Sequence, residues 1–224
     1  MLNPIVNIMK TLMSTFILCL SMTAFGNPKE PGNDGYREAM ADYIGQMHTA
    51  TSPADWQAIF NGFQRIAQVE KEEWLPLYYA ALACVEWQHQ ETSTEKKDDL
   101  LLRGRELADR AAVLQPGNSE ILALQGYIAM MRLNIDPMNR AQELAPVAMG
   151  LLQRAVQTDP ENPRARLLLA QMNFGTAVFF GAGTEGPCDE LKEALGLFEP
   201  AKQDAGLMPS WGREMAESLM SQCP

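Results

Sequence analysis

Thr158 to Gly175 reads TDPENPRARLLLAQMNFG, and a similar stretch, LQPGNSEILALQGYIAMM, runs from Leu114 to Met131. In each, a proline (Pro160, Pro116) closes one helical pattern. An asparagine two residues later (Asn162, Asn118) opens the next, and its side-chain oxygen can accept an otherwise orphaned backbone N–H. Small residues recur at matching offsets: Ala111 and Gly104 before the first proline, Ala155 and Ala148 before the second, Gly126 and Ala170 after them. Small residues let two helices approach closely. Their recurrence around both prolines marks a repeated helix-pair unit.

The same grammar runs through the rest of the chain. Tyr36, Met40, Tyr43 and Met47 form an apolar stripe on a predicted helix Gly35–Thr49. Ser52 caps a second helix with Pro53 at its first position and Trp56, Phe60, Phe63, Ile66 and Ala67 on one side. Further helices are predicted over Trp74–Gln90, Ser93–Gln115, Asn118–Leu133, Pro137–Thr158, Asn162–Phe174, Cys188–Lys202 and Ser210–Gln222. No stretch sustains a period of two with β-branched residues, so no strand is expected. The predicted class is all-α, about nine helices in a short right-handed stack of antiparallel pairs.

These residues resemble the tetratricopeptide repeat, most strongly over Glu106–Gly175 and more loosely over Trp74–Gln90 and Cys188–Gln222. EWLPLYYAAL, NSEILALQGYI and DPENPRARLLLAQ together also look like exported bacterial proteins of this superfamily whose function is uncharacterised. Two departures stand out. The two prolines lie 44 residues apart rather than the family's 34, with extra residues around Asn134–Leu144, and Gln125 and Arg166 stand where the family prefers apolar side chains. The resemblance implies a concave groove lined by the first helix of each pair. It points to Glu120, Tyr127, Met130 and Met131 from one repeat and Arg164, Gln171 and Phe174 from the next. Thioethers and aromatic rings with a few polar groups suit the gripping of an apolar peptide segment. If that groove is open, Tyr127, Gln171 or Arg164→Ala should each cost less than about 1 kcal/mol.

The first 26 residues stand apart. They carry one cation, Lys10, no acid, an apolar run from Thr11 to Phe25 and small residues at Ala24 and Gly26. This reads as a signal peptide cleaved near Gly26/Asn27, and Met9-Lys10 would itself be a typical start. The run is shorter than the ~20 residues needed to span a membrane, so no stable membrane insertion is expected after cleavage. Residues 27–34 (NPKEPGND) read as a flexible leader and residues 35–224 as the helical-repeat domain. Export to the periplasm or beyond is the expectation.

Removing Lys10 from the 18 Lys and Arg leaves 17 against 28 Asp and Glu, a net charge of −11. That balance excludes nucleic acid as a natural partner. The mature chain holds Cys84, Cys188 and Cys223, an odd number. An antiparallel last pair would bring Cys188, opening one helix, beside Cys223, closing the next. They are a candidate disulfide provided their Cα atoms lie within about 7 Å, and Cys84, among alanines, suits a buried free thiol.

Motifs for chemistry are sparse. Gly181-Ala-Gly183-Thr-Glu-Gly186 fits GxGxxG formally but lacks the preceding strand a dinucleotide site needs, so Ala177–Pro187 reads as an inter-helix loop. His48 and His89 have no metal-ligand spacing. No catalytic residue, cofactor or metal is assigned. The leading expectation is a non-enzymatic scaffold holding a peptide or flexible segment of an envelope protein. One alternative is a self-associating protein using Leu207, Met208, Trp211, Met215 and Met220 of its terminal helix pair. Another is an enzyme with a dispersed site.

Overall fold

The computed structural model describes residues 31–198 and 206–224. The expected signal peptide, its cleavage point and residues 27–30 of the leader lie outside the described residues. Nine helices make up the described residues, with no strand: α1 Pro31–Met47, α2 Pro53–Val69, α3 Leu75–Gln90, α4 Thr94–Leu114, α5 Ser119–Ile135, α6 Pro137–Thr158, α7 Pro163–Phe180, α8 Glu185–Gly196 and α9 Arg213–Met220. α1, α3, α5 and α7 each pack on the helix that follows, and they also pack on one another in sequence. They form an inner layer, with α2, α4, α6 and α8 outside it. This is the stack of antiparallel helix pairs that the repeat predicts.

The two asparagines act as expected. Asn118 Oδ1 accepts the backbone N–H groups of Glu120 and Ile121, and Asn162 Oδ1 those of Arg164 and Ala165. Asn162 has a second role. Its Nδ2 donates to Ser119 Oγ at 2.9 Å, and that hydroxyl donates to the Ala155 carbonyl at 2.9 Å. The cap of one repeat is thereby tied to the start of the one before it. Gly126 has no room for a side chain, since a Cβ there would lie 2.6 Å from Leu152 Cδ2.

The inner helices are buried nearly all round. Leu75 to Val85 of α3 and all but one residue of Ser119–Met131 of α5 are buried. A single helix partner would leave one face wet. Burial on every side requires two inner-layer neighbours, an outer helix, and a cover on the concave side.

Several boundaries differ from the sequence reading. α1 starts at Pro31, four residues into the expected leader, because proline suits the first turn of a helix, where its missing N–H is not needed. The Asn134–Leu144 insertion is no loop. α5 runs on to Ile135, Asp136 caps α6, and the extra turns are clamped to α4 by Arg132 and Arg140 on Asp98 (3.0 and 2.7 Å). Partial burial works against the Asp98 charge, but the hydrogen bonds from Arg140 and Arg132 prevail and hold its carboxyl below the usual range. α7 continues through the first residues of the expected glycine-rich loop to Phe180. It ends at Gly181 in the left-handed region (φ 65°), with the Ala182 N–H bonded to the Ala177 carbonyl. The GxGxxG stretch is thus a helix cap, a short turn and the start of α8. α8 ends at Gly196, the expected end at Lys202 lying outside the described residues, and α9 begins at Arg213 rather than at Ser210.

Candidate functional site

The cover on the concave side is the chain's own C-terminal segment. Leu207 to Gly212 lies against the inner helices, and its contacts identify the face it occupies. Tyr79 of α3 donates its hydroxyl to the Leu207 carbonyl (3.0 Å), and Trp211 Nε1 donates to the Tyr78 hydroxyl (2.9 Å). The Trp211 ring stacks on Tyr127 of α5, with centroids 5.7 Å apart and planes at 21°. Gly212 has φ 110°, a conformation that disfavours any side chain, and a Cβ there would meet Phe198 at 3.1 Å.

Under this strap sits a buried ion pair. Arg164 of α7 bonds Glu120 of α5 through Nε (2.7 Å) and Nη2 (2.5 Å), and Nη1 reaches the Trp211 carbonyl at 3.4 Å. The two residues are 8% and 9% exposed. Burial opposes the Arg164 charge, while Glu120 holds its pKa above the ordinary value.

The residues expected to line an open groove are therefore not open. Tyr127 is 3% exposed, and Met130 and Met131 are also buried. Glu120 and Arg164 neutralise one another. Phe174 is partly buried against the smaller cluster formed by α7, α8 and α9. Gln171 is partly buried, with its Oε1 enclosed and without a hydrogen-bond partner. The structure does gather Glu120, Tyr127 and Arg164 on one face, but the strap fills it. The apolar outer face expected on the last helix pair is likewise turned inward. Leu207, Trp211, Met215 and Met220 pack on the two cores, and only Met208 is exposed.

Cys188 and Cys223 are joined as a disulfide, with Cα atoms 5.9 Å apart. The bond fastens the end of the chain to the start of α8. Cys84 is a buried free thiol, pushed up to about 12 by desolvation.

Where the strap turns into α9 it leaves a cleft of about 400 Å³ against α1, α2 and α3. Its wall carries three aromatic side chains, Trp56, Tyr79 and Trp211, and two thioethers, Met47 and Met215. Glu86, His48 and Glu214 add titratable groups. Glu86 is partly buried, and desolvation pushes its carboxyl up to about 7. Trp56 is buried and its Nε1 has no acceptor. Most buried indoles find one. The cleft joins residues more than 160 positions apart, and sequence reasoning missed it. The sequence pattern places Met47 and Trp56 on helix stripes and Trp211 and Met215 on an outer face. No local spacing connects the two groups.

Taken with the cleft, the architecture is that of a helical-repeat protein whose inner layer is closed by its own C-terminal segment, with a small-molecule-sized recess beside it. Among solved structures the chain is similar to the HusA haemophore from Porphyromonas gingivalis, at 26% identity and a TM-score of 0.74, over 84% of this chain and 92% of that one. MamA 41-end from Desulfovibrio magneticus RS-1 also aligns, over 77% of this chain and 98% of that one, but at 14% identity and a TM-score of 0.30 it carries no argument. No family model matches the chain, and no curated protein matches it. The likeness to HusA supports the helical-repeat fold. Among the described residues no helix is long and apolar enough to cross a membrane.

Proposed function

We propose that this protein is an exported, non-enzymatic binding protein that takes a tetrapyrrole of the haem class into the cleft between α1–α3 and the C-terminal strap. The observation that carries the reading is the composition of that cleft. Flat rings from Trp56, Tyr79 and Trp211 and the adaptable thioethers of Met47 and Met215 suit a flat apolar ligand. Its volume falls within the range of small-molecule sites. The unpartnered Trp56 N–H and the imidazole of His48 supply the few polar contacts such a site needs. The likeness to a protein described as a haemophore, over most of both chains, supports the same ligand class.

A peptide-holding groove at Tyr127 and Arg164 is the weaker reading. A partner segment there would first have to displace Leu207–Trp211, which already makes the hydrogen bonds and ring contact that a bound peptide would make. Export rests on the Lys10 to Gly26 signal pattern, with the disulfide as support, since such bonds persist in oxidising compartments.

The test is a titration of the mature chain with haemin and with iron-free protoporphyrin IX, followed by tryptophan quenching and Soret absorbance. Met47→Trp, placed on the half-buried wall of the cleft, should weaken both ligands by about tenfold or more while leaving the circular dichroism unchanged. Lack of binding by the unmodified chain, or a Met47→Trp variant that binds both ligands as well as the parent, would refute the cleft reading.

A further inference from the structure

Tetrapyrrole binding in this cleft, the reading on which the following rests, leaves open whether the protein holds the macrocycle alone or also its metal. The cleft contains few atoms able to ligate iron. The Tyr79 hydroxyl is committed to the Leu207 carbonyl, and burial raises its pKa, against the phenolate that ligation requires. Glu86 is held towards its neutral form by desolvation, and a protonated carboxyl is a poor ligand. Glu214 is exposed on the strap side, and a solvated carboxylate is a hard donor, less suited to haem iron than imidazole or thioether. Met47 and Met215 offer thioether sulfur, which is soft but weak.

His48 differs from all of these. It follows α1 directly, in a turn closed by its own backbone N–H on the Gly45 carbonyl (3.2 Å). His48 is among the residues that line the cleft, beside Met47. It is exposed, so its ring is accessible to an incoming ligand, and among the described residues no hydrogen bond or ion pair holds that ring. The only other histidine of the chain, His89, ends α3 and lies outside the cleft.

We propose that His48 is an axial ligand to the iron of a tetrapyrrole bound in the cleft, so that this chain distinguishes iron-loaded from iron-free macrocycles. A neutral imidazole is the commonest protein ligand for such a metal, and His alone or His with Met is a standard haem axial set. Of the two thioethers in the cleft, Met215, on the α9 side, could supply a second sulfur; Met47, joined to His48 by one peptide bond, could not reach the opposite face.

The experiment compares the mature chain with His48→Ala and His89→Ala, each titrated with haemin and with iron-free protoporphyrin IX. Absorbance and electron paramagnetic resonance of the haemin complexes report the ligand field directly. In the unmodified chain the haemin complex should show an imidazole-ligated iron spectrum. His48→Ala should lose that signature and bind haemin about tenfold more weakly, with protoporphyrin IX affinity held within about twofold. His89→Ala should change neither, and added imidazole should restore the ligated spectrum of His48→Ala. His48→Ala retaining both spectrum and haemin affinity overturns the assignment while leaving the cleft reading intact. If the unmodified chain binds neither tetrapyrrole, the cleft reading and the ligand assignment fall together.

Discussion

Arg164→Ala separates a packed interior from an open groove more sharply than any other single change. In the structure this side chain is 8% exposed and Glu120 is 9% exposed, and their bonds of 2.7 and 2.5 Å neutralise both charges. Removing the guanidinium leaves the Glu120 carboxylate buried with no cation, and takes away the donor to the Trp211 carbonyl. Breaking one side of a buried pair costs about 3–5 kcal/mol, because the remaining charge keeps its desolvation penalty without the compensating attraction. Domains of this kind are stable by about 5–15 kcal/mol, so the loss is a large part of the whole. Replacing both partners by apolar groups of similar volume removes the penalty together with the attraction. Glu120→Leu/Arg164→Met should therefore lie within about 1–2 kcal/mol of the parent. The assay is urea unfolding of the mature chain near neutral pH, followed by far-UV circular dichroism and by tryptophan fluorescence, to which Trp211 contributes with the three other tryptophans. Arg164→Ala should lower the midpoint strongly at an unchanged slope, and the double variant should recover most of it. A cost for Arg164→Ala below about 1 kcal/mol, the figure an open groove implies, would refute this account of the pair.

Gly126→Ala should destabilise by about 1–3 kcal/mol, because the new Cβ would meet Leu152 Cδ2 at 2.6 Å; a neutral result in the same urea assay would mean that α5 and α6 are less closely packed than described. Glu86, held near 7 against an ordinary 4.5, makes a pH-dependent contribution of the opposite sign to a salt-bridged carboxylate. Its folded pKa is raised, so stability is highest below about 4.5, falls as the pH rises to about 7 and is level above that, by at most about 3 kcal/mol. The advantage of Glu86→Gln over the parent should thus grow between about pH 4.5 and pH 8, and a difference that does not change with pH would sink the assignment. Thiol titration of the denatured, unreduced mature chain, which lacks Cys19, should find one reactive thiol, at Cys84; Cys188→Ser/Cys223→Ser should lose about 3–4 kcal/mol by the chain-entropy estimate for a separation of 35 residues.

The repeat architecture was legible because its determinants are local. A cap needs one asparagine at the right position, as at Asn118 and Asn162, and a close helix approach needs one small residue, as at Gly126. Both leave a mark at a fixed offset in the chain. The length of α7 was not legible in the same way, since Val178-Phe179-Phe180 reads as well as a loop edge as it does as a last helical turn. Its end was settled by the left-handed Gly181.

The sequence alone also placed Cys188 and Cys223 as candidate partners, because an antiparallel helix pair brings the ends of its helices together whatever surrounds it. Its resemblance to the tetratricopeptide repeat pointed to Glu120, Tyr127 and Arg164 as residues of one face. Only the tertiary structure decided what covers that face. Trp211 meets Tyr78 and Tyr127 across 133 and 84 residues, and no periodicity encodes a contact between a strap and the helices it crosses. The same holds for the cleft, which His48 and Trp56 share with Trp211 and Met215 only because the C-terminal segment returns to α1 and α2. A helical pattern records which side of a helix is apolar. It does not record whether that side meets a partner, a ligand or the protein's own tail, because the burial of apolar surface has no preferred partner and each would satisfy it equally.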